Sequence, residues 1–183
     1  MSLSSIRRRL HRRLSGERGF LLVELLIAMT FLAVGVGALV AIYASTQLSL
    51  RHTSIEGNAL TVIDKQMETF KTISYDSIKL SASTIPSSSN VYVTSPPSSL
   101  TSTQRAGITS SQVTGGSYSA TQTVTGPDGR TYRLDTYMFS ATPTNGRAVI
   151  QVTVAARLVT SGVAGEIRAE TTSAFDTAGT KAI

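Results

Sequence analysis

GERGFLLVELLIAMTF, residues 16–31, places a lone carboxylate, Glu24, at the fifth position of an apolar run that begins abruptly after Gly19. The run continues to Ala44, broken only by Glu24, Thr30, Gly35 and Gly37. As a helix rising about 1.5 Å per residue, residues 20–44 would extend roughly 37 Å, more than the ~30 Å hydrocarbon core of a bilayer. A carboxylate near the end of a lipid-exposed helix costs on the order of 2.5–3.5 kcal/mol on insertion scales, so a specific positive partner is expected. Upstream stand Arg7, Arg8, Arg9, Arg12, Arg13 and Arg18 against a single acid, Glu17. Basic residues beside a spanning segment stay on the cytoplasmic side, which puts residues 1–19 inside and everything after Ala44 outside. A helix N-terminus would by itself favour Glu24 through the macrodipole, but that leaves the glycine and the basic leader unexplained.

The Gly19-Phe20 junction behind a short basic leader, followed by Leu21-Leu22-Val23-Glu24 and a long apolar helix, resembles the amino terminus of type IV prepilins and of type II secretion pseudopilins. The resemblance implies cleavage between Gly19 and Phe20 by a membrane prepilin peptidase, which also N-methylates Phe20. It implies a subunit-assembly role for Glu24, paired with an amino-terminal amine. Cleavage would create that cationic amine in the membrane, and an ion is far less penalised in hydrocarbon when paired than when alone. The family fold is α+β, a long N-terminal helix with a membrane-spanning first half, packed on a four-stranded antiparallel sheet. Implied partners are other pilin or pseudopilin subunits and an inner-membrane assembly platform with its ATPase. The implied location is the cell membrane as a single-pass protein, N-terminus cytoplasmic, and then a pilus or pseudopilus at the cell surface.

Three features depart from major pilins. Leu21 stands where the family often has threonine, Ala41 stands where many have a helix-loosening proline, and no cysteine is available for a C-terminal disulfide loop. They point to a minor pilin or pseudopilin. The expected organisation is a leader at 1–19, a transmembrane and assembly helix at 20–44, its amphipathic continuation at 45–79, a Ser/Thr-rich loop at 80–116 and a sheet domain at 117–183.

The net charge of +6 belongs to the precursor. Residues 1–19 hold 6 of the 17 Lys and Arg and 1 of the 11 acids, leaving 11 against 10, or +1, on the remainder. The basic character is therefore mostly a targeting signal, and the usual inference from a basic chain to nucleic acid collapses. With no cysteine, thiolate metal sites are excluded, and stability must come from packing.

Beyond the membrane segment, Ile55, Ala59, Val62, Ile63, Met67, Phe70, Ile73 and Ile78 recur every three or four residues, while Glu56, Asp64, Lys65, Glu68 and Lys71 take the other face. This predicts a helix running to about Tyr75 with a stripe that covers a sheet. Gly57 could bend it, and Gly35 and Gly37 could soften it in the membrane or be simply tolerated there. In residues 81–117, 18 of 37 are Ser or Thr, three are Pro, and Arg105 is the sole charge. Such composition predicts a polar loop burying little apolar surface, with a short strand near Val91–Val93.

Four strands follow, at about 117–125, 130–141, 147–159 and 165–176, separated by Gly126-Pro127-Asp128-Gly129, Pro143-Thr144-Asn145-Gly146 and Ser161-Gly162-Val163-Ala164-Gly165. In the third, Ala148, Ile150, Val152, Val154, Ala156 and Leu158 alternate with polar residues including Arg157. An antiparallel meander on the helix is the result, reached without the family resemblance.

Catalytic chemistry is poorly supported: His52 is the single histidine after the leader, and serines in a polar loop are not a positioned nucleophile. No catalytic, cofactor or metal residue is assigned; Asp128 and Asn145 are ordinary turn residues, although turn oxygens could take calcium. Arg130, Arg133, Arg147, Arg157 and Arg168 are spread over several strands with acids nearby, so there is no clear nucleic-acid signal and they read as solvated strand faces. The rival from another class is a signal-anchored extracytoplasmic binding protein, neither cleaved nor assembled. A twin-arginine export signal, suggested by Arg8-Arg9 and Arg12-Arg13, is disfavoured because the apolar core is too long for a cleavable signal.

Overall fold

The computed structural model describes residues 3–142 and 146–176, with side chains from Leu21 onward. Helix α1 covers Leu3–Thr72. The chain divides into two units, Met1–Arg51 and His52–Ile183, and each is described by itself.

In the first unit every described residue, 21–51, is exposed, including Leu22, Leu26, Phe31, Leu39 and Ile42. Large apolar side chains exposed on all sides of a helix have no partner among the described residues, and water would not tolerate so long a run of them. Among the described residues, this is the one helix long and apolar enough to cross a membrane.

In the second unit the end of α1 shows the expected stripe. Ala59, Val62, Ile63, Met67 and Phe70 are buried, Ile55 and Ile73 partly so, and Glu56, Asp64, Lys65, Glu68 and Lys71 face solvent. Fully burying each large side chain of this set is worth about 1.5–3 kcal/mol. The helix stops at Thr72 rather than near Tyr75; a single 3-10 turn, Tyr75–Ser77, follows, and Ile78 joins the core from outside the helix.

The sheet is a four-stranded antiparallel meander ordered β1-β2-β3-β4: β1 Thr121–Thr125, β2 Thr131–Ala141, β3 Val149–Thr160 and β4 Val163–Asp176. The fold is thus α+β. The β1–β2 turn is the expected Gly126–Gly129 segment, closed by Gly126 N–H donating to the Arg130 carbonyl at 2.8 Å, with Gly129 at φ 72°. The β3–β4 connection is tighter than expected. Ser161 and Gly162, both at positive φ, form a two-residue hairpin loop, so β4 begins at Val163. The middle turn, Pro143-Thr144-Asn145, lies outside the described residues.

One face of the sheet meets α1. Tyr132, Leu134, Thr136 and Met138 of β2 pair with Leu158, Ala156, Val154 and Val152 of β3, and Val62 and Gln66 of the helix sit with Leu134 and Val124 around a shared groove. The other face is not solvated. Residues 134–139 and 152–157 are each buried without a break, so alternation of inside and outside fails across the sheet centre.

What covers the second face is the Ser/Thr-rich segment, and here two expectations are corrected. Val91–Thr94 is a short helix, α2, rather than a strand, and Ser102–Ala106 is another, α3. The segment does bury apolar surface: Tyr92, Leu100 and Ile108 are 0%, 3% and 1% exposed. Helix wins at 91–94 because Asn90 accepts the Tyr92 N–H at 3.0 Å as an N-cap, and no neighbouring strand offers this stretch a ladder. A reciprocal capping box, Thr101 with Gln104, starts α3. Hydroxyls elsewhere in the segment satisfy one another or the local backbone, as in Thr84 Oγ1 to Ser81 O at 2.7 Å. Local satisfaction of this kind lets a polar chain lie against a core.

Candidate functional site

Glu24 lies on the exposed helix among Leu21, Leu22, Val23, Leu25 and Leu26, each at least 56% exposed. It has no hydrogen-bond or ion-pair partner among the described residues. Gly19 and Phe20 fall within α1, and their surroundings lie outside the described side chains. The carboxylate and its apolar collar are therefore displayed together, with the chain supplying no counter-charge from its described part. Thr30 and Thr46, the polar interruptions nearby, hydrogen-bond back to the carbonyls of Leu26 and Ile42 at 2.8 and 2.9 Å, so they add no exposed need for a partner.

The second unit contains a different polar centre, not foreseen from the sequence. Asp135 on β2 is fully buried, and so is Arg157 on β3, which was expected on a solvated face. Asp135 Oδ2 accepts from Arg157 Nε at 2.8 Å and Oδ1 from Arg133 Nε at 2.7 Å. Arg157 is also held by the Gly165 carbonyl at 3.2 Å and by the Ser95 carbonyl of the covering segment. It sits where the β3–β4 register shifts, and such irregularities re-aim side chains. Arg133 donates through Nη2 to Asn90 Oδ1 at 2.8 Å. These bonds fasten the segment to the sheet.

Beside this centre Tyr92 stacks on Tyr137, centroids 4.2 Å apart. The Tyr137 hydroxyl donates to the Tyr92 carbonyl at 2.8 Å, and the Tyr92 hydroxyl donates to the Thr136 carbonyl at 2.6 Å while accepting from Gln112 Nε2 at 2.9 Å. Gln112 Oε1 in turn accepts the Met138 N–H at 3.1 Å. Burial raises the ionisation of both tyrosines well above the ordinary phenol range. On the helix side, burial and then the hydrogen bond to Asp128 at 2.9 Å push Tyr132 up to about 12.

The remaining sequence candidates stay apart. His52 is exposed. Asp128 is engaged by Tyr132 and by the Arg130 N–H at 3.2 Å, Asn145 lies outside the described residues, and no group of three or more possible metal ligands occurs among those described. Of the five arginines, Arg133 and Arg157 are committed to Asp135, Arg130 approaches Asp128 at 3.8 Å, Arg147 is exposed and Arg168 half-buried, so they form no single basic face.

Three cues for the missed centre were present. Tyr92, Leu100 and Ile108 recur at eight-residue intervals through the polar segment, the middle strands are apolar beyond what one face requires, and Asp135 is an acid in a strand that also carries Leu134, Tyr137, Met138 and Phe139. Compared with protein-family models, curated proteins and solved structures, the chain matches none.

Proposed function

We propose that this chain is a structural subunit, of minor-pilin or pseudopilin type, of a type IV pilus-like or type II secretion-like filament. The observation that carries the reading is Glu24: a carboxylate at the fifth position after Gly19, with no partner among the described residues, on a helix whose described apolar side chains are exposed all round. A lone apolar anchor has no need of that charge, whereas a bundle of such helices does. Cleavage at Gly19 would free the Phe20 amine, and the amine of one subunit would neutralise Glu24 of the next. Lipid contacts would be exchanged for helix contacts, and the ion pair would set the axial stagger. The α+β unit outside the membrane agrees with this reading, as does the absence of a phosphate-binding loop, which leaves the energy for extraction to an assembly platform and its ATPase. The chain has no enzymatic role in this scheme.

The test is the intact mass and N-terminal sequence of the membrane-extracted protein, produced with and without a prepilin peptidase. A chain beginning at Phe20, one methyl group heavier, only when the peptidase is present is the expected result. A chain keeping residues 1–19 under both conditions would leave a signal-anchored binding protein as the better reading.

A further inference from the structure

The Asp135 centre has more positive than negative charge. Two guanidiniums face one carboxylate, both of whose oxygens are taken. Arginine does not release its proton in a protein, so the excess cannot be relieved by neutralisation. Arg157 is fully buried and its Nε, Nη1 and Nη2 each have a partner. Arg133 is the outlet: its side chain is 16% exposed, and with Nε and Nη2 engaged, its Nη1 has no partner among the described residues.

That outlet opens on a cleft of about 360 Å³ on the sheet face away from α1, lined by Asn90, Thr121, Thr123, Arg133, Gly162 and Ala164 among others. Thr123 and Thr121 stand opposite Arg133 and Asp135 in the β1–β2 register, on the same face as the guanidinium. Neither threonine hydroxyl has a partner among the described residues. Asn90, which lines the cleft, uses its Oδ1 twice, for the Tyr92 N–H and for Arg133, and its Nδ2 has no partner among the described residues. Among the described residues, no Asp or Glu lines the cleft. The cleft therefore gathers a guanidinium edge, an amide N–H₂ and two hydroxyls above a buried excess cation.

We infer that this cleft binds a phosphate group, free or at the end of a small phosphomonoester. Four donor groups would need every lone-pair site of a carboxylate, all in one plane, whereas the three or four oxygens of a tetrahedral oxyanion meet donors from several directions and bring more charge to the guanidinium. The bound anion completes a four-charge set in which each guanidinium has a counter-ion. The site sits where the covering segment, β1 and the β3–β4 hairpin meet, so its occupancy also clamps that segment to the sheet.

The experiment is isothermal titration of the full-length chain in detergent micelles, at ionic strength held constant with sodium chloride, using inorganic phosphate, glycerol 3-phosphate and acetate as probes. Saturable binding of one or both phosphates at millimolar or lower concentration, with acetate at least about tenfold weaker, is expected. Binding of glycerol 3-phosphate alone identifies an ester as the ligand, and equal binding identifies the free group. R133Q should weaken phosphate at least about tenfold, the loss of one charge-assisted donor. Because Arg133 also holds Asp135, the double variant T121V/T123V is the second arm. It keeps the strand's β-branched shape, should give an unchanged circular dichroism spectrum, and should weaken phosphate severalfold. Absence of saturable binding overturns the inference, as does full affinity in a folded T121V/T123V chain or phosphate and acetate binding equally.

Discussion

Glu24 and Asp135 are two carboxylates in apolar surroundings, and the chain treats them oppositely. Asp135 is fully buried and receives two guanidiniums within 2.8 Å, Arg133 from its own strand and Arg157 from the next. Glu24 is exposed on a helix of exposed leucines and valines and receives nothing from the described residues. A domain that folds alone must carry its own counter-charges. On the proposed reading lipid and neighbouring subunits would finish the other segment, whose charge can then stay open as a demand on a partner. The same contrast holds for apolar surface: the second unit encloses most of its described large apolar side chains between helix, sheet and covering segment, Leu60 and Val163 excepted, while residues 21–51 display theirs.

The largest effect should come from breaking the closed side of this pair. D135A leaves the buried Arg157 guanidinium without its counter-ion and facing the partly exposed Arg133, and should cost about 3–5 kcal/mol, read from urea denaturation of the full chain in micelles. A loss under 1 kcal/mol would mean that the centre is hydrated and that its burial is not energetic.

Next comes the covering segment. L100A removes a core side chain, 3% exposed, from a stretch whose composition reads as loop, and should cost about 2–4 kcal/mol by the same measurement. A change within about 0.5 kcal/mol, the usual range for surface substitutions, would return residues 81–117 to the status of a peripheral loop.

The tyrosines set an alkaline limit. In the folded state Tyr132 ionises near 12, above the value of about 10 it takes when unfolded, and Tyr92 and Tyr137 are raised as well. The neutral forms are thus the ones the fold favours. The contribution of Tyr132 is fully present below pH 10 and is lost as pH rises from 10 through about 12, and those of Tyr92 and Tyr137 are lost at still higher pH. Denaturation midpoints should be level with respect to these groups up to pH 9 and then fall. Y132F should lessen the fall, and an identical alkaline slope in Y132F would remove Tyr132 from the account.

The smallest effect on stability belongs to the open carboxylate. E24A should leave unfolding of the second unit within about 0.5 kcal/mol of the parent, remain cleavable at Gly19, and enter filaments poorly when co-produced with the native chain. Normal incorporation would sink the pairing of Glu24 with a neighbouring amine.

The apolar run, the stripe from Ile55 to Phe70, the four strands and two of their turns were legible in the sequence, because each is a local pattern: hydropathy, a period near 3.6, a period of two, or a Gly-Asp or Ser-Gly signal. The Glu24 position was legible for the same reason, since helix, charge and glycine are adjacent in the chain. Arg157 was not. Period-two alternation says that it points away from Val154 and Ala156, but whether that direction is water or protein depends on a segment more than fifty residues upstream.

By itself, then, the sequence determined the elements, their order and the presence of a segment too apolar for water, since these follow from nearest neighbours along the chain. Tertiary structure alone decided that the second face of the sheet is closed, that Ser95 and Asn90 come to meet Arg157 and Arg133, and that Asp135 sits buried between two guanidiniums. Those outcomes depend on loop closure over long separations and on the cost of an unpaired buried charge, and neither is written in any short window of residues.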